Sequence, residues 1–489
     1  MPLRLRIAML LALCSCIRLS MAQTAVDATD VAESDVAQPM QARRPDEHRP
    51  EQPIAVDLFR RATVLGLSYE GSAERRSNFD LHAGEKRDQR VFDQELELDA
   101  QMRASDSVTL FAQIVFTDER RKRLADGTVR AIHALARGQS WALLDRAFGM
   151  PVSLQFGRLP LIERRSWWWD EDLDALKLVS TSGSLQIETG LAHEVAKVSS
   201  ADLGIDPAAR GLTRWFGRAT HSWAKRHAVE FFWLRALDRS GVHVKDSTLR
   251  EEDADPSDAQ LYWMGLRAVG EARVASGHRL RYWLDTAIVR GRETLTTYTD
   301  AAESGQVVAG ISKGQRVRGH ALNLGVSWVL PGAWRPTLTL GGAFGSGGTA
   351  DVALDRNFRQ TGLQENKGRI AGVKRVRYYG ALLDPELSNL RIGTLGLGLR
   401  FLSKSSAELL LHHYRQQVAS NLLAGSRLSE DPEGVSRDIG RELDLFVALR
   451  EWRHAELTLT LSRFLPGAAF AFDRRDSARY AELGATFTF

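Results

Sequence analysis

The sequence predicts an all-β protein, a transmembrane antiparallel up-and-down β-barrel of the bacterial outer-membrane type with about 18 strands. Three observations carry this. First, the chain ends in a strand of strict alternation, Tyr480 to Phe489. Ala481, Leu483, Ala485, Phe487 and Phe489 share one face, and Tyr480, Glu482, Gly484, Thr486 and Thr488 share the other, because successive side chains in a strand point to opposite sides. Second, short alternating runs recur from about residue 56 onward between polar, glycine-containing or charged stretches. Third, beyond the N-terminal export signal no segment holds the roughly 18 uncharged apolar residues that a membrane helix requires. A mean hydropathy of −0.25 with 44% hydrophobic residues describes a water-soluble chain by hydropathy alone. A barrel shares that signature, since half of each strand faces water.

Arg4 and Arg6 precede the apolar run Ile7 to Leu13, and Ser20-Met21-Ala22 supplies the small residues of a cleavage site. The expected domains are a signal peptide over 1–22, a flexible periplasmic segment over 23–53 rich in Ala, Asp, Glu, Gln and Pro, and a barrel with long gating loops over 54–489. The run Leu13-Cys14-Ser15-Cys16 faintly resembles a lipoprotein processing site, a less favoured reading because its apolar stretch is short. Cys14 and Cys16 are the two cysteines, so the cleaved chain has no disulfide, catalytic thiol or cysteine-bound metal. Cleavage leaves 467 residues, enough for roughly 18 strands at about 25 residues per strand and connection.

The formal charge of +4 falls to +1 once Arg4, Arg6 and Arg18 are removed, which excludes a global argument for a polyanionic partner. Residue type and local distribution remain. Of 65 basic residues 10 are Lys and 55 are Arg, and guanidinium binds carboxylates in a planar, two-toothed way that ammonium cannot. Genomic bias towards Arg accounts for part of the excess.

Along the wall, Leu96, Leu98, Ala100 and Met102 oppose Glu95, Glu97, Asp99, Gln101 and Arg103. Leu395, Leu397, Leu399 and Phe401 oppose Thr394, Gly396, Gly398 and Arg400, and Leu443, Leu445, Val447 and Leu449 oppose Glu442, Asp444, Phe446 and Arg450. Leu457, Leu459 and Leu461 oppose Thr458, Thr460 and Ser462, and in Leu280 to Ile288 the polar side carries Arg279, Arg281, Trp283 and Asp285. A charge on the lipid face near the bilayer centre costs about 2–4 kcal/mol, so these charges face a lumen, where opposite signs pair and brace the wall.

One segment is unbalanced. Between Arg356 and Tyr379 stand Arg356, Arg359, Lys367, Arg369, Lys374, Arg375 and Arg377 against Glu365, interleaved with Phe358, Tyr378 and Tyr379. Gly362, Gly368 and Gly372, with Gly380 just after them, and the lack of alternation predict a long loop, and such loops are functional or disordered. It suits lipopolysaccharide phosphates or an acidic sugar chain; its place on a barrel makes nucleic acid the poorest fit. Trp167-Trp168-Trp169 reads first as an interfacial aromatic girdle, second as a platform for sugar faces in the pore. His412 and His413 beside Glu408 or Asp438, and His221 with Ser222, match no recognisable nucleophile or metal spacing, so no catalytic residue, metal ligand or cofactor site is assigned.

The stretch Asn357 to Asn366 (NFRQTGLQEN), then Arg375-Val376-Arg377, Glu386 to Leu390 (ELSNL), Asp438 to Leu445 (DIGRELDL) and Phe464 to Gly467 (FLPG) resembles bacterial alginate export porins. Phe156-Gly157-Arg158 and Trp168 to Leu176 fit less tightly. The likeness spans roughly 130–489 and is strongest from 340 onward. It implies a single-chain barrel with a lumen lined by Arg, and loop or turn segments that gate it. Arg137, Arg158 and Arg375 match basic lumen residues of that family; Arg359, Lys367 and Arg377 correspond more weakly. Glu442 and Asp444, set between arginines, would limit dwell time at each position. A second-strand arginine has no clear counterpart, with Arg103 a possible substitute, and near Phe464 the basic position falls to Arg463.

The implied function is passive export of an anionic exopolysaccharide, alginate or a related polyuronate, through the bacterial outer membrane. The implied partners are the polymer, outer-membrane lipid, and a periplasmic scaffold and inner-membrane synthase of a secretion complex, with the barrel itself a monomer. An anion-selective general porin is the near alternative and an outer-membrane enzyme a distant one.

Overall fold

A computed structural model describes residues 54–82, 87–301, 303–348 and 353–489. The expected signal peptide over 1–22, with Cys14 and Cys16, and the expected flexible segment over 23–53 lie outside the described residues. The wall has 18 strands: β1 (Arg61–Ser77), β2 (Gln89–Arg103), β3 (Val108–Arg123), β4 (Val129–Leu144), β5 (Val152–Ile162), β6 (Asp170–Ser182), β7 (Leu185–His193), β8 (Thr213–Ala224), β9 (His227–Leu237), β10 (Ser257–Arg273), β11 (Arg279–Asp300), β12 (Gln306–Val329), β13 (Thr337–Gly345), β14 (Leu390–Phe401), β15 (Ser405–Gln416), β16 (Asp438–Leu449), β17 (Ala455–Pro466) and β18 (Ala478–Thr488). Each pairs antiparallel with its neighbour in sequence. Closure is made by β18 against β1, with Ser68 opposite Thr488 and Ser77 opposite Arg479. The terminal residue completes the seam, since the Phe489 N–H donates to the Leu67 carbonyl at 2.8 Å and the Leu67 N–H to the Phe489 carbonyl at 3.2 Å.

Short turns such as 183–184, 225–226 and 402–404 join strands at one end, and long connections such as 194–212, 346–389 and 417–437 join them at the other. In outer-membrane barrels the short turns are periplasmic and the long loops extracellular. The expected faces hold. Leu443, Leu483, Leu395 and Leu98 are exposed on the lipid side, while Glu442, Asp444, Glu408 and Asp99 are buried inside.

β4 and β5 pair over a short stretch, from Ser140 opposite Arg158 to Leu144 opposite Leu154. Above it the connection after β7 fills the gap: the Arg137 N–H donates to the Val198 carbonyl and the Ser200 N–H to the Leu135 carbonyl, both at 2.8 Å. This satisfies edge groups that would otherwise be open in the membrane.

Candidate functional site

Two connections fold into the lumen. The longer, 346–389, follows β13 and descends to the periplasmic end, where the Ala371 N–H donates to Glu408 Oε2 (2.9 Å) and the Val373 N–H to Ser406 Oγ (2.8 Å). Arg400 and Arg450 donate to the Gly372 and Val373 carbonyls, both at 3.2 Å. Higher up, the Leu382 and Leu383 N–H groups donate to the two oxygens of Glu442, at 2.7 and 3.0 Å. Apolar residues of this segment, Phe358, Ile370, Val373, Leu382, Leu383 and Leu387, are all buried. The basic loop is therefore a lumen element, whereas the sequence left it a loop over the barrel.

The shorter connection, Glu163 to Trp169, holds the first in place. Trp167 Nε1 donates to the Tyr379 hydroxyl at 2.9 Å, and the Tyr378 hydroxyl donates to the Arg165 carbonyl at 2.9 Å. Trp167, Trp168 and Trp169 are at most 2% exposed, with Trp168 stacked on Phe232 at 4.9 Å. They form neither a lipid girdle nor an open sugar platform. The reason is local: Glu163 turns inward and accepts N–H groups of Arg165 (2.8 Å) and Trp168 (3.0 Å), pulling the three indoles under the rim.

Glu163 reaches an ionic ladder on the inner wall. Lys177, Glu188, Arg218, Glu230, Arg267 and Asp285 stand on β6 to β11, one per strand, with alternating sign. Arg267 is 1% exposed and pairs with Glu163, with Glu230 at 3.4 Å and with Asp285 at 2.5 Å. Burial by itself raises the Glu163 carboxyl, but the charge and hydrogen bonds of Arg267, with backbone N–H groups, outweigh it and hold the group at about 2. Arg165 sits over the Trp283 and Tyr378 rings at 4.4 and 4.7 Å, joining the ladder to the longer segment.

The opposite half of the lumen is open. Inward residues of β1 and β2, Glu70 and Asp93, are exposed and Glu95 and Glu97 half-buried. They face the basic side of the infolded segment, with Lys374 and Lys367 in electrostatic reach of Glu70. The water-filled passage thus has one acidic bank and one basic bank.

All six basic candidates are found in ion pairs. Arg137 makes a two-toothed contact with Asp174 (2.7 and 2.8 Å), and Arg158 meets Glu194 at 3.4 Å. Arg359 bridges Glu293 (2.5 Å) and Asp355 (2.7 Å), Lys367 meets Glu365 at 2.8 Å, and Arg377 meets Asp384, with Glu365 at 3.7 Å. Arg375 contacts Asp170 at 3.2 Å together with Ser166. Exposure separates them: Arg137, Arg359, Lys367 and Arg377 keep 29–33% of the side chain open, Arg158 and Arg375 9%. Glu442 and Asp444 are wholly buried, so they lie off the water-filled surface. His412 packs inside, 3.4 Å from Asp444, while His413 points outward. Arg463 also faces outward, because it shares parity with Leu457, Leu459 and Leu461. Arg103 is exposed at the short-turn end.

Two cavities open toward the long-loop end. One of about 770 Å³ is lined by charges of both signs, among them Arg158, Arg214, Arg250, Glu171, Asp206 and Glu252, together with Gly362 and Leu363. The other, about 720 Å³, is lined by Arg76, Arg87, Arg121, Arg123 and Arg427, with Asp126. Sequence reasoning missed the second, although the run Glu119-Arg120-Arg121-Lys122-Arg123 ending β3 was a visible signal.

Glu442 tests the anchoring. Glu442→Leu leaves the Leu382 and Leu383 N–H groups without acceptors, a loss of about 1–3 kcal/mol per group. The expected result is faster protease cleavage within 360–390 and a flickering single-channel current, with the barrel still folded.

The model of the alginate export family matches residues 61–483. The alginate production protein AlgE of Pseudomonas aeruginosa is 28% identical over 363 residues, covering 73% of this chain and 72% of that protein. Among solved structures, Pseudomonas aeruginosa OccD3 (OpdP) has a TM-score of 0.53 at 12% identity, covering 92% of this chain and 96% of that one. Acinetobacter baumannii OccAB1 has 0.52 at 11%, covering 90% and 99%. At such identity these two show the barrel fold alone.

Proposed function

The chain belongs to the alginate export family, and from that premise we propose that its outer-membrane channel carries alginate or a related polyuronate along the basic face of the infolded segment by exchange of carboxylates. The barrel sits in the outer membrane and is an export channel. The observation that carries the finer reading is that each of Arg137, Arg359, Lys367 and Arg377 is partly open to water yet already paired with an internal carboxylate.

A guanidinium held by Asp or Glu presents a site whose occupant can be replaced by a uronate of the same chemistry, two-toothed for two-toothed. The internal acid then recaptures the guanidinium as the polymer steps on. Each exchange is close to isoenergetic, so the chain is attracted without a deep trap, which conduction requires. The acidic bank of Glu70, Asp93, Glu95 and Glu97 repels the polymer toward the basic bank. Glu442 and Asp444 take a different part in this reading, fixing the segment that carries the cations. Arg375 acts likewise, tying Lys367 and Asp170 together, whereas Arg158 holds Glu194 of the connection after β7.

No step in this reading makes or breaks a covalent bond, and the protein is a conduit rather than an enzyme. The polymer arrives from a periplasmic scaffold fed by an inner-membrane synthase. Proteoliposomes loaded with fluorescent oligouronate test the reading. Efflux through the intact chain should exceed efflux of a neutral oligosaccharide of equal length. The triple variant Arg359→Gln, Lys367→Gln, Arg377→Gln should lose at least about tenfold of the uronate rate, since three screened contacts of roughly 0.5–1 kcal/mol are removed. Equal rates for the two sugars in the intact chain would leave only a general porin.

A further inference from the structure

The outer surface of the barrel changes character above its lipid belt. On β14, Leu399, Leu397 and Leu395 face outward and Arg391 follows them toward the long-loop end; on β17, Leu457, Leu459 and Leu461 are followed by Arg463. Neighbouring strands do the same at the same height. The result is a set of like charges placed directly across strand pairs: Arg391 opposite Arg415, Arg463 opposite Arg479, and Arg290 opposite Arg318. Arg75 opposite Arg90 continues the series across the closing seam.

All these side chains are exposed. Among the described residues none of the first six has a carboxylate within ion-pair distance. Like charges directly opposite one another weaken a sheet, and here the arrangement recurs on both sides of the seam. Arg75 meets Asp88 at 3.9 Å and Arg415 stands across from Asp438 beyond ion-pair distance, but Arg290, Arg391, Arg463 and Arg479 have no acid directly opposite on the neighbouring strand, and their counter-charge comes from outside the protein. The position narrows what that can be. The guanidinium groups face away from the lumen, across the wall from the passage, and stand immediately above the apolar columns that contact acyl chains.

We propose that this arc binds the phosphate groups of a glycolipid in the outer leaflet, with its acyl chains against the leucine columns and each phosphate set between a cross-strand pair of arginines. Two guanidinium groups offer a phosphate several charge-assisted hydrogen bonds in a geometry that lysine would not give. Binding converts repelling pairs into bridged pairs on either side of the seam between β18 and β1. The inference rests on outward orientation alone and survives if the polyuronate reading fails.

Native mass spectrometry of the purified full chain tests it, with bisphosphorylated lipid A and its dephosphorylated form as ligands. The intact barrel should retain the phosphorylated lipid and not the other. The variant Arg391→Gln, Arg415→Gln, Arg463→Gln, Arg479→Gln should bind it at least about tenfold more weakly, while oligouronate block of its conductance stays as in the parent. If the quadruple variant fails to fold, Arg463→Gln, Arg479→Gln alone should show a reduced retention of the same sign. Equal retention by the variants, equal retention of the dephosphorylated lipid, or displacement of the lipid by oligouronate would each overturn the proposal.

Discussion

Excising residues 360–385 and joining Arg359 to Glu386 through a short Gly-Ser linker should raise single-channel conductance at least about threefold, because a wall of this strand number encloses an aqueous channel when nothing fills it. The segment lies between two strands that keep their own pairing, β13 to β14, so its loss leaves the barrel closed. What disappears is the basic bank, including Lys367, Arg369, Lys374 and Arg377, while the acidic bank of Glu70, Asp93, Glu95 and Glu97 remains. The enlarged pore should therefore also turn towards cations. Planar-bilayer recordings of current and reversal potential in a salt gradient read both quantities. A conductance equal to that of the parent would mean that current already bypasses the segment.

Arg267→Ala should lower the thermal midpoint of the barrel strongly. Removing one member of a buried ion network leaves the others as uncompensated charges, typically a loss of 3–5 kcal/mol, and Arg267 serves Glu163, Glu230 and Asp285 at once. Arg267→Lys should recover part of the loss, because one ammonium cannot span the Glu163 and Asp285 oxygens as the planar fork does. The pH dependence separates this from a packing defect. The Glu163 carboxyl is depressed from 4.5 to about 2, so its contribution is fully present above about pH 4.5 and is lost as pH falls through about 2. In Arg267→Ala that depression is gone, and the stability gap between variant and parent should narrow in acid. A gap that stays constant from pH 7 to pH 3 would assign the effect to packing. Detachment of the Trp167–Trp169 connection should show as increased indole fluorescence quenching by soluble iodide.

Strand faces were legible because period two leaves no freedom. Once Leu443 and Leu445 face lipid, Glu442 and Asp444 must point inward. The same parity placed Arg463 outside, a consequence that the sequence reading passed over when it treated the residue as a wall cation. The infolding of 346–389 was not legible. Its buried residues Ile370, Val373, Leu382 and Leu383 follow no period, and the acceptors that receive it, Glu408, Ser406 and Glu442, are contributed by strands β15 and β16 after it in the chain. The tryptophan triplet was misjudged for a related reason. Its position depends on Glu163 reaching Arg267, a contact across 104 residues that composition and periodicity do not encode. The candidate cations were named from resemblance, and the acids that pair with them, such as Asp174 for Arg137 and Glu293 for Arg359, come from other strands and become visible only when the wall closes.

The central claim is that an acidic polymer travels by replacing internal carboxylates on a basic lumen segment. Its most direct test is single-channel recording of the intact chain with oligouronates added to the periplasmic side. The expected result is brief, concentration-dependent block whose duration shortens as ionic strength rises, since screening weakens each exchanged contact, and which a neutral oligosaccharide of the same length does not produce. Block that is indifferent to salt, or equal for the neutral sugar, would contradict it.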